Sequence, residues 1–366
     1  MLVLPAWYPT ARQPLNGPFV RDHARAAAAY GHRVVVVAAE EPTPDVRGLF
    51  ALEEERDGAL RVVRVRYRPR TGTFAYLPAA LTVARRLARE GTPVDVIHAH
   101  THRMASPAAM ASTLLRRPFV VSEHSSEWPT RTMTNAALRR VRIAFPRAAL
   151  VCPVNERLRE AIEAYGVRAR FRVVPNTVET GTFHPPPERS APPVRLVNVA
   201  RHVEVKALDV LLRAFARVAE GNPALRLELI GEGPLTPELR ALARQLRLEG
   251  GVEFSGERTP AEIADRLRRS HVFVLSSLSE NMPLSLIEAL CTGLPVAGSD
   301  AGGIPEAVGQ DGVLAPAGDS ETLATAIATV IQRYGDFDLD DIARRAVARW
   351  SFEAVGGVWD EIYRTV

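Results

Sequence analysis

Along the chain, short β-branched apolar runs alternate with stretches whose apolar residues recur at helical spacing. Residues 33–38, 94–98, 118–122 and 149–154 read as strands. Runs that are apolar on both faces belong to parallel sheets covered by helices, so the first half reads as doubly wound α/β. A helix is expected from Asn16-Gly17-Pro18 to Tyr30, with Pro18 preset for its first turn. The second half repeats the pattern, with a strand at 194–199 and a helix from about Lys206 that places Leu208, Leu211, Leu212, Phe215 and Val218 on one face. Strands at 225–230, 272–275 and 295–298 are separated by expected helices at 237–248, 260–269 and 284–292. Leu323, Ile327, Val330 and Ile331 mark a further helix behind a cap at Asp319, and residues 352–363 mark a terminal one.

The 366 residues exceed what one hydrophobic core organises. The break falls in His184-Pro185-Pro186-Pro187 and onward to Pro193, where proline removes backbone donors and enforces extended chain. The expected organisation is a Rossmann-like domain at 1–183, a linker at 184–193, a second Rossmann-like domain at 194–347 and a closing helix in 348–366. Two such sheets facing across a cleft would bind ligands outside the carboxyl ends of their strands.

Composition narrows the function. At 46% hydrophobic and 24% charged, the chain has the balance of a folded globular protein rather than a disordered one. No apolar run reaches the length of a membrane helix and residues 1–5 are too short for a secretory core, so a cytoplasmic location is expected. Cys152 and Cys291 are too few for a disulfide framework and are expected as buried hydrophobes. A net charge of +4 is small for this length and does not imply nucleic acid. Lysine occurs once, at Lys206, against 45 arginines.

That lysine lies in the first dense constellation. Arg201 and Lys206 follow the strand ending at Val199 and would neutralise a diphosphate leaving group with fixed charge. The second constellation is Glu280-Asn281-Met282-Pro283-Leu284 through Glu288 to Gly293-Leu294-Pro295. Pro283 suits the first turn of a helix and Gly293 its C-terminal cap. The free N–H groups and dipole at that helix start favour an anion such as a diphosphate. Glu280 and Glu288, seven residues between them, could each accept hydrogen bonds from vicinal hydroxyls of a sugar or ribose. Glycine turns at Gly231-Glu232-Gly233 and Gly302-Gly303 would let backbone approach the ligand.

In the first half, Gly17 could lend its amide to a phosphate. His98, His100 and His102 alternate, so an extended segment would put their imidazoles on one face; without an acid or cysteine at useful spacing, a packing or site-lining role is preferred to a metal site. His124 ends a strand, where it could contact the transferred group or its acceptor. Asn16, His100, His102 and Ser125 are the acceptor-side candidates. Between Arg131 and Arg147 stand five arginines and no acid, counting both ends. They could meet anionic lipid headgroups as a peripheral membrane contact, but their helical angles spread over more than one face, which favours a solvated surface.

At these residues the sequence resembles family 4 of the retaining glycosyltransferases, which have the GT-B fold. The matching pieces are Trp7-Tyr8-Pro9 with Gly17, Gly31-His32-Arg33-Val34, Val96-Ile97-His98-Ala99-His100, Glu123-His124-Ser125, Val174-Pro175-Asn176-Thr177, Arg201 with Lys206, Glu280 to Glu288, and Gly302-Gly303-Ile304-Pro305-Glu306. The resemblance implies transfer of a hexose-type sugar from a UDP- or GDP-sugar with retained anomeric configuration and no catalytic metal. It makes the second domain the donor-binding one and the first the acceptor-binding one, and implies that the closing helix in 348–366 crosses back onto the first domain. Arg201 and Lys206 would hold the diphosphate, Glu288 the ribose, Glu280 the donor sugar, Gly17 the phosphate, and His124 the sugar near the reacting carbon. Gly231, Gly233, Asn281, Met282, Pro283 and Leu284 complete the expected donor site. Asn281-Met282-Pro283 stands where many members have Gly-Phe-Gly.

Two other readings compete. A nucleotide-sugar epimerase or dinucleotide oxidoreductase could use similar sheets, but the oxidoreductase would need GxGxxG after its first strand, which residues 1–18 lack. A non-catalytic nucleotide-sugar binding protein would tolerate loss of Glu280, Arg201 or Lys206, and all three are present.

Overall fold

The computed structural model describes residues 1–10, 13, 16–40, 42–43, 45–69, 75–188 and 194–366. It forms two compact units, Met1–Thr177 with Phe352–Val366, and Val178–Ser351.

The first unit runs β1 (Leu2–Pro5), α1 (Pro18–Ala29), β2 (Val35–Ala39), β3 (Phe50–Asp57), β4 (Leu60–Tyr67), α2 (Tyr76–Arg89), β5 (Ile97–His100), α3 (His102–Leu115), β6 (Phe119–Glu123), α4 (Asn135–Ala144), β7 (Leu150–Pro153) and α5 (Glu156–Glu163). Its sheet has the order β3-β4-β2-β1-β5-β6-β7 and is parallel except where β3 pairs antiparallel with β4. That hairpin departs from the parallel sheet the apolar runs suggest. Strand β3 is largely exposed and charged, and it is held by cross-strand pairs of Glu54 with Arg61, Glu55 with Arg64 and Glu53 with Arg66. Charge on a strand at the sheet's edge also discourages pairing with another chain.

Helix α13 (Phe352–Thr365) belongs to this unit and packs on α1. A β-carbon at Gly356 would come within 2.6 Å of the Ala26 carbonyl oxygen, so only glycine allows the two helices to approach this closely. The Trp359 indole N–H donates to His23 Nδ1 at 2.8 Å, and the Tyr30 hydroxyl donates to the Glu353 carbonyl at 2.7 Å.

The second unit runs β8 (Arg195–Val199), α6 (Leu208–Gly221), β9 (Arg226–Ile230), α7 (Thr236–Gln245), β10 (Val252–Gly256), α8 (Pro260–Arg268), β11 (Val272–Leu275), α9 (Leu284–Cys291), β12 (Val296–Asp300), α10 (Ile304–Val308), β13 (Gly312–Pro316), α11 (Ser320–Gln332) and α12 (Leu339–Trp350). Six parallel strands take the order β10-β9-β8-β11-β12-β13. Leu211, Leu212 and Phe215 of α6 pack with Leu227, Leu229, Val272, Val274, Ile327 and Val330 in one core. Asp319 caps α11 by accepting from the amides of Glu321 and Thr322.

The division between units falls at Thr177/Val178, ahead of the proline-rich stretch, because the Val178 N–H donates to the Trp350 carbonyl at 2.8 Å and ties that end of the chain into the second unit. Residues 184–188 carry no helix or strand, and 189–193 of the expected linker lie outside the described residues. Both cysteines are buried and free, and burial pushes each thiol up to about 12.

Candidate functional site

Strand order selects where chemistry can gather. In the second unit the chain steps from β8 outward to β9 and β10, then returns to β11 on the other side of β8, so β8 and β11 are neighbours whose outgoing loops diverge. Such switch points open a crevice at the carboxyl ends of the strands. Arg201 and Lys206 leave β8 there, and Glu280 leaves β11.

The Lys206 ammonium forms an ion pair with Glu280 Oε1, both side chains being largely shielded from solvent. The Ser277 hydroxyl donates to the same carboxylate oxygen at 3.0 Å. The two loops are laced together at the backbone: Leu278 N–H donates to the Val205 carbonyl at 2.8 Å, and the Ser276 hydroxyl donates to the Lys206 carbonyl at 2.9 Å. The short 3-10 turn Glu204–Lys206 ends at Ala207 with φ 43, which turns the chain sharply into α6.

Gly302 and Gly303 fix Glu280 from the other side. Gly303 N–H donates to the Glu280 carbonyl at 3.0 Å. A β-carbon on Gly302, at φ +52, would come within 1.7 Å of that carbonyl oxygen, so the close approach demands glycine. From sequence this pair is expected to let backbone approach a ligand; what it approaches is the Glu280 carbonyl, a partner visible only through β12 lying beside β11.

Gly231 and Gly233 line up against the loop after β8. Their β-carbons would come within 2.1 Å of the Ala200 carbonyl oxygen and 2.3 Å of the His202 carbonyl oxygen. His202 Nδ1 and the Gly233 amide both meet the Thr236 hydroxyl, at 2.8 and 3.0 Å. Arg201 is exposed and meets no carboxylate among the described residues. Helix α9 starts at Leu284, with Pro283 at the cap position (φ −67, ψ 124) rather than in the first turn. Its extended ψ corrects the placement from sequence by one residue. Met282 is buried, Glu288 is half-buried on α9, and Gly293 at φ +76 follows the helix end.

In the first unit the corresponding switch point lies between β1 and β5. Gly17 caps α1 at φ 72, where a β-carbon would come within 2.6 Å of the Trp7 carbonyl oxygen; Asn16, just before it, donates from its side-chain amide to Gln13 Oε1 at 3.2 Å. His98 and His100 end β5 with their rings stacked at 4.3 Å. The expectation that His102 shares their face is corrected: Thr101 turns the chain at φ 69, and His102 becomes the first residue of α3, beside Glu123 and Glu127.

Glu123 lies in the motif, but the sequence reading gives it no role. Its carboxylate is fully buried and accepts from three amides: His102 at 2.6 Å, His124 at 2.9 Å and Ser125 at 2.8 Å. One carboxylate thereby caps α3 and sets the loop that presents His124 and Ser125. Asn176 is buried and acts on both His23 and His124, raising their pKa values slightly against the effect of burial. His98 hydrogen-bonds with the Ser122 hydroxyl at 2.8 Å and with the Tyr363 hydroxyl at 2.7 Å. Burial drives His98, His100 and His124 well below the usual imidazole range, with neighbouring histidines adding to it, and drives His23 down to about 4. All four are neutral rings at neutral pH.

Two Rossmann-like units of largely parallel strands, with charged loops at a switch point, have the architecture of the GT-B fold. Models of two families match: Glycosyltransferase Family 4 over residues 17–182 and Glycosyl transferases group 1 over residues 193–333. The chain belongs to the family 4 glycosyltransferases. It is 29% identical over 265 residues to the colanic acid biosynthesis glycosyltransferase WcaL of Escherichia coli, covering 68% of this chain and 63% of that protein. It is 31% identical over 233 residues to the glycosyltransferase EpsF of Bacillus subtilis, covering 59% and 60%. The chain thus spans about three fifths of the length of these relatives. Among solved structures, Anabaena HepE in complex with UDP superposes with a TM-score of 0.77 at 22% identity, over 100% of this chain and 99% of that one. No helix of the described residues is long and apolar enough to cross a membrane.

Proposed function

We propose that this protein is a retaining hexosyltransferase that moves a sugar from a UDP- or GDP-sugar to an acceptor hydroxyl without a metal ion. The observation that carries the reading is the adjacency of Lys206 and Glu280. In a nucleotide sugar the ring and the β-phosphate are joined through a single oxygen. A cation for the phosphate and a carboxylate for the ring hydroxyls must therefore stand side by side, as these two do. Arg201, exposed at the end of β8, would add the second positive charge.

The amides at the start of α9 would face the diphosphate, and Glu288, one turn further along, would take the ribose. Gly231, Gly233 and residues 281–284 would shape the rest of the donor site, and Gly17 and His124 keep the phosphate and sugar roles the family resemblance gives them. As the anomeric carbon–oxygen bond breaks, Arg201 and Lys206 would neutralise charge on the departing diphosphate. The acceptor oxygen would bond to the same face of the ring and pass its proton to a diphosphate oxygen. No second carboxylate is needed as nucleophile, unlike the paired acids of most glycosidases.

The names of WcaL and the overall likeness to HepE support a polysaccharide-type acceptor and a UDP donor, with Asn16, His100, His102 and Ser125 on the acceptor side. A cytoplasmic site of action suits nucleotide-sugar chemistry. The test is a panel of nucleotide sugars read by thermal shift and by release of nucleoside diphosphate, with and without a chelator. Donor-dependent release that survives chelation, with an α-linked product from an α-linked donor by NMR, supports the proposal. No stabilisation by any nucleotide sugar or nucleoside diphosphate would end it.

A further inference from the structure

In a parallel sheet covered by helices on both faces, the strands are apolar on both sides. Strands β8, β9 and β10 break this rule in their amino-terminal halves. Leu196, Leu227 and Leu229 belong to the core with α6, while the alternate positions Arg195, Arg226, Glu228 and Glu253 lie on the opposite face. There, together with α8, they line a cavity of about 1030 Å³. It sits at the other end of the strands from Arg201 and Lys206 and shares no residue with the donor or acceptor assignments.

Two like-charged pairs stand in register at this cavity, and the fold treats them differently. Glu228 lies opposite Glu253, and Arg266 of α8 bridges the two by pairing with Oε1 of each. The Ser255 hydroxyl meets the same two oxygens. Arg195 lies opposite Arg226, and neither meets a carboxylate among the described residues. Like charges directly opposite each other are destabilising. Arg269, which also lines the cavity, is paired with Asp265 at 3.1 Å. Of the four arginines here, the two that face each other are therefore the two without a counter-ion. Both are anchored. Arg195 N–H donates to His271 Nδ1 at 3.1 Å, and Arg226 Nη1 donates to the carbonyls of Pro223 and Leu225 at 2.9 and 2.8 Å, which leaves its Nε and Nη2 unspent.

We propose that this cavity binds a sugar phosphate, with the phosphate on Arg195 and Arg226 and the sugar hydroxyls on the carboxylates of Glu228 and Glu253. A phosphomonoester carries roughly −1.5 to −2 charge at neutral pH, which matches two guanidinium groups. Guanidinium also fits phosphate oxygens in pairs. Glu228 and Glu253 spend only Oε1 within the protein, so Oε2 of each can accept from ring hydroxyls. The same carboxylates repel a polyanion, and the described lining includes no aromatic ring on which a base could stack, so a nucleotide or a nucleic acid strand fits less well. Because the cavity shares nothing with the donor site, the proposal stands apart from the reaction.

The full chain is titrated by calorimetry with glucose 1-phosphate, glucose 6-phosphate and mannose 6-phosphate, and with glucose and inorganic phosphate as controls. At least one sugar phosphate should bind about tenfold more tightly than inorganic phosphate, and glucose alone should not bind. Arg195→Gln with Arg226→Gln should weaken that binding by about tenfold or more. Melting of the double variant without ligand should hold or rise, because the opposed charges are gone. Arg195→Gln alone, whose side chain pairs with no other described group, should weaken binding severalfold with the fold intact. Lys206→Ala should leave sugar phosphate binding unchanged. Loss of binding in Lys206→Ala with retention in the arginine variants would put the sugar phosphate in the donor site and overturn the proposal. Binding no tighter than that of inorganic phosphate, or no binding by any of the three sugar phosphates, overturns it too.

Discussion

Lys206 and Glu280 are 74 residues apart in sequence and form one ion pair, because β8 and β11 are adjacent strands whose loops emerge at the same end of the sheet. The pairing turns two separate sequence signals into one electrostatic unit. Lys206→Ala should lower kcat/KM for the donor by about 100-fold or more, the usual cost of losing a group that stabilises transition-state charge. Because Ser277 still holds Glu280, melting should change little, and Lys206→Arg should recover part of the turnover. Unchanged steady-state kinetics in Lys206→Ala would remove Lys206 from the donor site.

Gly302 tests how Glu280 is positioned. An added methyl would meet the Glu280 carbonyl at 1.7 Å in a left-handed backbone conformation, so the loop must shift. Gly302→Ala should destabilise the protein by roughly 1–3 kcal/mol. Donor turnover should fall further than the folded fraction does. Chemical denaturation and rate measurements on one preparation separate the two effects; a variant of full stability and full activity contradicts the assigned geometry.

Glu123 makes a different prediction, since it supports the loop bearing His124 without being assigned to the donor. Glu123→Ala leaves two buried amides and one part-buried amide without their acceptor, and each buried unsatisfied donor costs about 1–3 kcal/mol before relaxation. Glu123→Gln keeps an oxygen acceptor but loses charge, and should fall between Ala and the native protein. Urea midpoints would establish that order, and an alanine variant as stable as the glutamine one would show that the carboxylate is not what holds the loop.

The histidine cluster fixes a pH dependence. His23, His98, His100 and His124 have folded pKa values below the ordinary imidazole value of 6.5, so each is neutral when folded. Below about pH 6.5 the unfolded chain takes up protons that the folded chain refuses. Stability is therefore complete above that pH and declines as the pH falls, by roughly 1.4 kcal/mol per pH unit for each such histidine. The share from His23 is lost by about pH 4, its folded value. Denaturant midpoints should drop clearly from about pH 7 to about pH 5. A flat profile over that interval would mean that the rings are open to protonation in the native state.

Much of the architecture was legible because periodicity reports local geometry directly. Val272–Leu275 is a strand where the apolar run lies, and Asp319 and Gly293 stand at the helix ends their chemistry suits. The antiparallel β3–β4 hairpin escaped because β3 is charged and half exposed: its pairing with the largely buried β4 leaves no apolar run of its own to read. The His98-Ala99-His100-Thr101-His102 run misled because one positive φ at Thr101 ends the strand before the third imidazole.

By its own pattern the sequence determined two α/β sheets, the helix caps, and the motifs that place the chain among family 4 glycosyltransferases. Only the tertiary structure decided which distant groups meet: Lys206 with Glu280, Gly302 under the Glu280 carbonyl, and Trp359 and Tyr363 of the last helix against His23 and His98. The reason is that periodicity is set by forces within a few residues. Partners across a sheet depend instead on the order in which its strands assemble, and that order leaves no local trace.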